Sequence, residues 1–261
     1  MITSIQNPKI KAVVQLLNKA KTRKKEASFI VEGKKTINEI DVSRIHEIFM
    51  TETFFEKEQN LVKGFIEKKV KIEIVNDSVM KHISNSVTPQ GILGIIRIVP
   101  MKLNIMINSN PLIIILENIQ DPGNLGTIIR TCDAVKASGV IISKGSVDLY
   151  NPKVVRATMG SIFRVPVITD SDLIEDIKIL KSNNIEIIAS HLQGSDNLYK
   201  CNLTRGIGVL IGNEGNGLTD EVVGLANRNI KIPMIGKSES LNAGVATSII
   251  AYEALRQRKY M

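Results

Sequence analysis

The 261-residue sequence has no tryptophan, six phenylalanines and four tyrosines. So few aromatics do not suggest a platform on which the bases of a single strand stack in series. There are two cysteines, Cys132 and Cys201. They have neither metal-ligand spacing nor the company of further cysteines, so neither a zinc site nor a disulfide is expected. Cys132 reads as a small buried thiol rather than a reactive one. His46, His82 and His191 also lack metal-ligand spacing. No apolar run approaches the roughly 18–20 residues that a membrane span needs. The opening MITSIQNPKIKAVV lacks the long apolar stretch of a secretory signal. A cytoplasmic protein is the expectation. Repeats and low-complexity tracts are also absent.

What is present is an uneven positive charge. The formal net charge is +8. Residues 1–100 hold 17 Lys and Arg against 11 Asp and Glu, whereas residues 101–261 hold 17 against 15. Seven basic residues precede the first acid, Glu26. Lys21, Arg23, Lys24 and Lys25 form their densest cluster, read as the exposed end of a helix and the turn after it. Such clusters neutralise phosphates and release counterions, which makes this one a candidate RNA contact. A solvated turn is the competing reading.

Hydrophobic patterning divides the chain in two. In residues 1–100, Ile10, Val13, Val14, Leu16 and Leu17 predict an amphipathic helix. Strands are expected at 29–33, 45–50, 70–75 and 91–99, with a helix over 58–68 and a helix start at 34–40. This is a small α/β domain. Residues 101–111, bracketed by Pro100 and Pro111, read as a linker. Residues 112–261 then alternate strands at 112–116, 140–143, 165–169, 186–190, 208–211 and 230–233 with helices at 127–137, 153–159, 173–183, 218–227 and 240–257. Near-continuous apolar strands alternating with helices predict an α/β fold built on a parallel sheet covered on both faces.

Three blocks in this second domain sit where a buried strand gives way to a turn. The first is Asn118-Ile119-Gln120-Asp121-Pro122-Gly123-Asn124-Leu125-Gly126-Thr127-Ile128-Ile129-Arg130. Its Asp-Pro-Gly-Asn is turn chemistry, with Asn124 expected near the cap of a helix starting at 125 or 126. Arg130 follows on that helix, near the strand ends where ligands of open α/β sheets gather. The second block is Ile211-Gly212-Asn213-Glu214-Gly215-Asn216-Gly217-Leu218. Its glycines let backbone approach a ligand, and Glu214 is its only acid. Its spacing is not the G-x-G-x-x-G of dinucleotide binding, which disfavours a nicotinamide enzyme. The third is Ile232-Pro233-Met234-Ile235-Gly236, then Ser240-Leu241-Asn242-Ala243-Gly244-Val245-Ala246. Ser240 is expected to cap the last helix, and the small residues after it allow close packing.

In this order, the three blocks resemble the signature motifs of the SpoU (TrmH-like) RNA 2′-O-ribose methyltransferases of the SPOUT superfamily. The resemblance implies S-adenosylmethionine (AdoMet) as methyl donor without a metal, RNA as substrate, a homodimer with its active site at or near the subunit interface, and a deep trefoil knot. It implies catalytic roles for Arg130, Asn124, Glu214, Ser240 and Asn242. It implies cofactor contacts from Gly194, Ile211, Gly212, Asn213, Gly215, Ile232, Met234, Leu241 and Ala246. A guanidinium is a poor proton acceptor near neutrality, so Arg130 either positions the nucleotide phosphate or stabilises the developing alkoxide. Phe29-Ile30-Val31-Glu32-Gly33 and Thr88-Pro89-Gln90-Gly91 are similar to the L30e-like substrate-binding domain of rRNA-directed members, which favours rRNA, 23S rRNA in particular, over tRNA. Two alternatives stay open: a non-catalytic RNA-binding protein on this fold, and a base methyltransferase of the same superfamily.

Overall fold

A computed structural model describes residues 1–191 and 196–260. In chain order the helices and strands are α1 (Pro8–Asn18), α2 (Ala20–Glu26), β1 (Ser28–Glu32), α3 (Lys34–Asn38), β2 (Ile45–Thr51), α4 (Glu52–Lys57), α5 (Gln59–Glu67), β3 (Lys71–Val75), α6 (Asp77–Ile83) and β4 (Ile92–Arg97). There follow β5 (Leu112–Leu116), α7 (Pro122–Ala134), β6 (Gly139–Ser143), α8 (Pro152–Ala157), β7 (Val167–Ser171), α9 (Leu173–Ser182), β8 (Glu186–Ser190), β9 (Asp196–Asn197), β10 (Ile207–Ile211), α10 (Asp220–Val223), β11 (Arg228–Lys231) and α11 (Ala243–Lys259).

The chain forms two compact units. The first comprises residues 1–99 together with 150–163, and the second residues 100–149 and 164–261. Residues 150–163, which contain α8, therefore depart from the second-domain continuity that the strand–helix alternation suggests. Alternation reports local periodicity and carries no information on which sheet a helix packs against.

The sheet of the first unit has the order β1-β4-β2-β3. β4 runs antiparallel to both β1 and β2, while β2 and β3 are parallel. One face is covered by α1 and α6, whose Ile10, Val13, Leu16, Val79, Met80 and Ile83 pack with Ile30, Phe49 and Leu93. The basic run after α1 folds as a second helix rather than a turn. Lys19 adopts an extended conformation and breaks the helix, and α2 ends at Ala27 with φ 43°. Arg23, on α2, turns inward and is 4% exposed. Its guanidinium donates to the carbonyl oxygens of Leu16 at 2.6 Å and Leu17 at 3.0 Å. These belong to the last turn of α1, whose carbonyls have no partner within the helix.

The sheet of the second unit has the order β7-β6-β5-β10-β8-β11-β9. Every pairing in it is parallel. The central strand β10, IGVLI, and its neighbour β5, LIIIL, are buried at every position. A parallel sheet covered on both faces demands such sequences, because each alternate side chain meets a helix layer. Ile113, Ile115, Ile187 and Leu210 pack with Ile177 and Leu180 of α9 on one side. α7 and α11 pack against each other, and their Thr131 and Ser248 hydroxyls are 2.8 Å apart.

Two helix starts differ from the sequence reading. α7 begins at Pro122, not at 125 or 126, and its cap is Asp121, whose Oδ1 accepts from the Asn124 amide at 2.7 Å. Proline fits the first helical position because it has no N–H to leave unsatisfied. The reassignment frees the Asn124 side chain. α11 begins at Ala243, capped by Asn242 and not by Ser240. Asn242 Oδ1 accepts from the Gly244 and Val245 amides at 2.9 and 3.2 Å. α10 spans only 220–223 where a helix over 218–227 is expected.

Candidate active site

Within the second unit a cavity of about 450 Å³ opens at the carboxyl ends of β8, β10 and β11. This is the end of a parallel sheet at which ligands collect. Ser190 and Ile211, the last residues of β8 and β10, and Lys231, the last of β11, reach its wall. Ile211, Leu218, Ile232, Met234 and Leu241 make it apolar. Residues 212–217, Glu239 and Ser240 supply polarity.

The 212–219 loop is held in one shape by its own residues. Asn213 and Gly217 exchange backbone hydrogen bonds at 2.9 and 3.0 Å. That closure puts the Gly217 and Leu218 backbone where a Cβ on Gly212 would sit, so only glycine fits at 212. The Asn213 side chain is fully engaged inside the protein. Its Oδ1 accepts from the Gly215 and Asn216 amides at 2.8 and 3.0 Å, and its Nδ2 donates to the Asn118 carbonyl at 2.8 Å. Glu117, buried at the end of β5, clamps the far end of the loop. Its two oxygens accept from the Thr219 amide and hydroxyl, both at 2.8 Å.

Three polar residues from the three blocks form one chain of hydrogen bonds. Asn242 Nδ2 donates to Asn124 Oδ1 at 2.7 Å, and Asn124 Nδ2 donates to Glu214 Oε1 at 2.7 Å. The Gln120 amide donates to Glu214 Oε2 at 3.4 Å. This connects the starts of α7 and α11 to the glycine loop. Burial pushes the Glu214 carboxyl upward, but the hydrogen bonds from Asn124 and the surrounding backbone amides outweigh it. The net shift is below the ordinary carboxylate value. Glu214 is thus an anion that accepts at neutral pH, and a weak proton acceptor for chemistry.

The structure brings most of the sequence-selected residues together. Ile211, Gly212, Asn213, Glu214, Gly215, Ile232, Met234, Ser240, Leu241 and Ala246 line the cavity. Asn124 and Asn242 stand behind it, attached through Glu214. Arg130 is exposed on α7 and does not line this cavity. Gly194 lies outside the described residues. Lys21, Lys24 and Lys25 are exposed on α2 in the first unit, whereas Arg23 is buried there. Glu117, Glu239, Lys231 and Ser190 are site residues that sequence reasoning missed. The signal for Glu117 was an acid directly after a five-residue apolar strand. Cys132 is fully buried, and burial, with Asp133 beside it, pushes its thiol up to about 12. Asp133 pairs with Arg164 at 2.7 Å. Among the described residues no cluster of three His, Cys, Asp or Glu could hold a metal. No described helix is long and apolar enough to cross a membrane.

The SpoU rRNA Methylase family profile matches residues 111–252, which contain this whole cavity. The chain belongs to that family. Residues 7–94 match the MRM3-like substrate binding domain. A Bacillus subtilis protein named 23S rRNA (guanosine(2553)-2′-O)-methyltransferase RlmP is 28% identical over 96% of this chain and 97% of its own length. An uncharacterized tRNA/rRNA methyltransferase of Synechocystis is 30% identical over 98% of this chain and 94% of its own. Among solved structures, an AdoMet-bound rRNA methyltransferase from Sinorhizobium meliloti is 30% identical, with a TM-score of 0.89 over 100% of this chain and 98% of that one.

Membership of the family makes AdoMet the cofactor, and the cavity fits it. The apolar walls suit a purine ring, and the exposed backbone of a glycine loop suits the polar edge of a nucleoside. Glu214 and Glu239 place negative charge near a ligand that carries a sulfonium and an ammonium group.

Proposed function

We infer that this protein methylates the 2′-hydroxyl of a ribose in RNA with AdoMet as donor, and that its substrate is ribosomal RNA of the large subunit. The observation that carries the reading is the cavity at the strand ends, lined by the second and third sequence blocks and fastened to the first by the Asn242–Asn124–Glu214 chain. The substrate-binding domain matched by residues 7–94 and the 23S rRNA relative of nearly equal length support the ribosomal substrate. Bound AdoMet supplies a methyl group made electrophilic by a cationic sulfur.

The chain's own residues do the rest. Ile211, Ile232, Met234, Leu241 and the 212–217 backbone hold the donor. Glu214 fixes the loop and the two helix starts and keeps its charge throughout. Arg130 is the catalytic residue. It positions the nucleotide phosphate or stabilises the alkoxide that forms as the 2′-hydroxyl loses its proton. Ser240, exposed at the cavity, is the polar group available to the substrate.

The active form is a homodimer in which a second copy covers the α7–α11 face. α7 carries the exposed Arg130, and α11 carries the exposed Val245 and Tyr252, 46% and 52% accessible and one heptad apart. The trefoil knot is the topology that goes with this family. The protein acts in the cytoplasm, where unmodified rRNA is found.

Methyl transfer from labelled AdoMet to unmodified total RNA, with the product mapped by protection from alkaline cleavage, tests the reading. One protected ribose in large-subunit rRNA is the expected result. Label on a base, with every ribose cleavable, would overturn it in favour of a base methyltransferase. Binding of both AdoMet and RNA without transfer would favour a non-catalytic binder.

A further inference from the structure

The first unit contains a cavity of about 270 Å³ that none of the three motifs reaches. β1, the start of α3, the 85–90 loop and α8 surround it. Its floor is apolar, from Leu17, Ile30 and Val155. Polar groups stand at its edge: Asn85, Ser86 and Gln90 with amides or hydroxyls, and Lys35 and Arg156 with charge. Lys35 and Arg156 are both exposed. Glu32 is the acid of the cavity, and its carboxylate is already engaged by the Ser84 hydroxyl and the Asn85 amide.

The rim holds a conformational outlier. Met159 follows α8 with φ 50°, in the left-handed region, and its side chain is 56% exposed. A helix that ends on a left-handed residue normally uses glycine there, because a Cβ is strained. Here the strained position carries a long, exposed, polarisable apolar side chain instead. Its neighbour Gly160 shows that the chain can place glycine in this turn. The loop across the cavity carries a second exposed apolar group, Val87, which is 96% accessible.

We propose that this cavity receives a single unpaired nucleobase of the RNA substrate, seated against Met159 and Val155 and read by the Asn85 and Gln90 amides, with Lys35 and Arg156 on its flanking phosphates. The proposal rests on the RNA-directed function inferred above and assigns it a recognition pocket in the first unit. The volume suits one planar ring system and is too small for a helix or a strand of protein. Apolar floor, amide edge and peripheral cations are what base stacking, edge reading and phosphate contact require. The exposed Lys21, Lys24 and Lys25 continue the positive charge past the same end of α1, because Arg23 of their helix bonds the carbonyl of Leu17, a floor residue.

The test is filter binding of the full chain to an unmodified 23S rRNA transcript over a salt series, with AdoMet calorimetry and thermal melting alongside. Met159→Gly should raise Tm by a few degrees by removing strain, yet lower RNA affinity about five-fold or more, as loss of one base contact does. Its salt slope should not change, since no charge is lost. Lys35→Ala and Arg156→Ala should each weaken binding and reduce the salt slope by about one. AdoMet affinity should be unaltered in all three. RNA affinity within two-fold of the native chain for Met159→Gly would overturn the pocket. That outcome, with the native chain still methylating the transcript, leaves the function standing. Absence of RNA binding by the native chain removes the function and the pocket together.

Discussion

In the second unit, polar side chains near the cavity are engaged mainly with one another and with backbone. Asn213, Asn124, Asn242, Glu117 and Thr219 close a loop and tie helix starts together over distances of 2.7–3.2 Å. In the first unit, the equivalent density lies in charge, and part of it is diverted to structure. Arg23 caps α1, Lys9 is held between Glu47 and Glu73, and Lys34 pairs with Glu58 at 2.7 Å. Lys21, Lys24 and Lys25 remain exposed on the surface. A small cofactor needs a rigid cradle of fixed backbone shape, and only a few residue types at fixed spacing build one. A long polyanion needs positive potential over an area, and many arrangements supply it. The first constraint leaves contiguous motifs in a sequence, and the second leaves little more than composition.

The largest effects should separate chemistry from cradle. Arg130→Ala removes an exposed side chain that contributes nothing to the cavity wall. It should lower methyl transfer by about 10²–10³-fold, the usual loss for a charge-stabilising group, with AdoMet affinity and Tm unchanged. Single-turnover rates beside calorimetry measure the split. Substantial residual activity would remove Arg130 from the chemistry. Gly212→Ala should do the opposite. Its Cβ collides with the Gly217 and Leu218 backbone, so AdoMet binding is lost first and transfer only as a consequence.

The same contrast sets what the sequence disclosed. The strands of the second unit were legible because burial on both faces leaves unbroken runs such as LIIIL and IGVLI. The cavity was legible because its walls come from strand ends within the motifs. The helix starts were not. Asp121 and Asn124, or Ser240 and Asn242, are equally good caps by residue type, and the choice follows from where the next polar partner lies. Asn124 is withheld from capping because Glu214 and Asn242 take its side chain. The insertion of β10 between β5 and β8, and the residence of α8 in the first unit, are long-range pairings that no local pattern reports. Arg23 was indistinguishable from its basic neighbours, because inward rotation of one side chain leaves no trace in charge.

Arg23 accordingly gives the next sharpest test in the first unit. Arg23→Ala should destabilise the fold by about 1.5–3 kcal/mol, the worth of hydrogen bonds from a charged donor to buried acceptors. Lys24→Ala and Lys25→Ala should stay within about 0.5 kcal/mol of the native chain. In RNA binding the order reverses. The lysine variants should flatten the salt dependence, and Arg23→Ala, where it remains folded, should leave the slope unaltered. Denaturant melts and salt titrations measure the two quantities separately. Equal melting of all three variants would show that the basic helix is uniform and that burial of Arg23 carries no weight.

The smallest expected effect is the pH response of the cradle. The folded carboxyl of Glu214 lies below its unfolded value because Asn124 and backbone amides favour the anion over the opposing effect of burial. A depressed carboxyl contributes stability that is fully present above the unfolded value, near 4.5, and is lost as pH falls through the lower folded value. AdoMet binding should therefore be flat from neutrality down to about pH 5 and weaken only in more acid solution. Glu214→Gln removes the titration but turns an acceptor oxygen into a donor facing the donors of Gln120 and Asn124. It should bind AdoMet more weakly at neutral pH, with a pH profile flat throughout. Calorimetry from pH 4 to 7.5 on both forms decides. An acid limb retained in the glutamine variant would place the titrating group elsewhere.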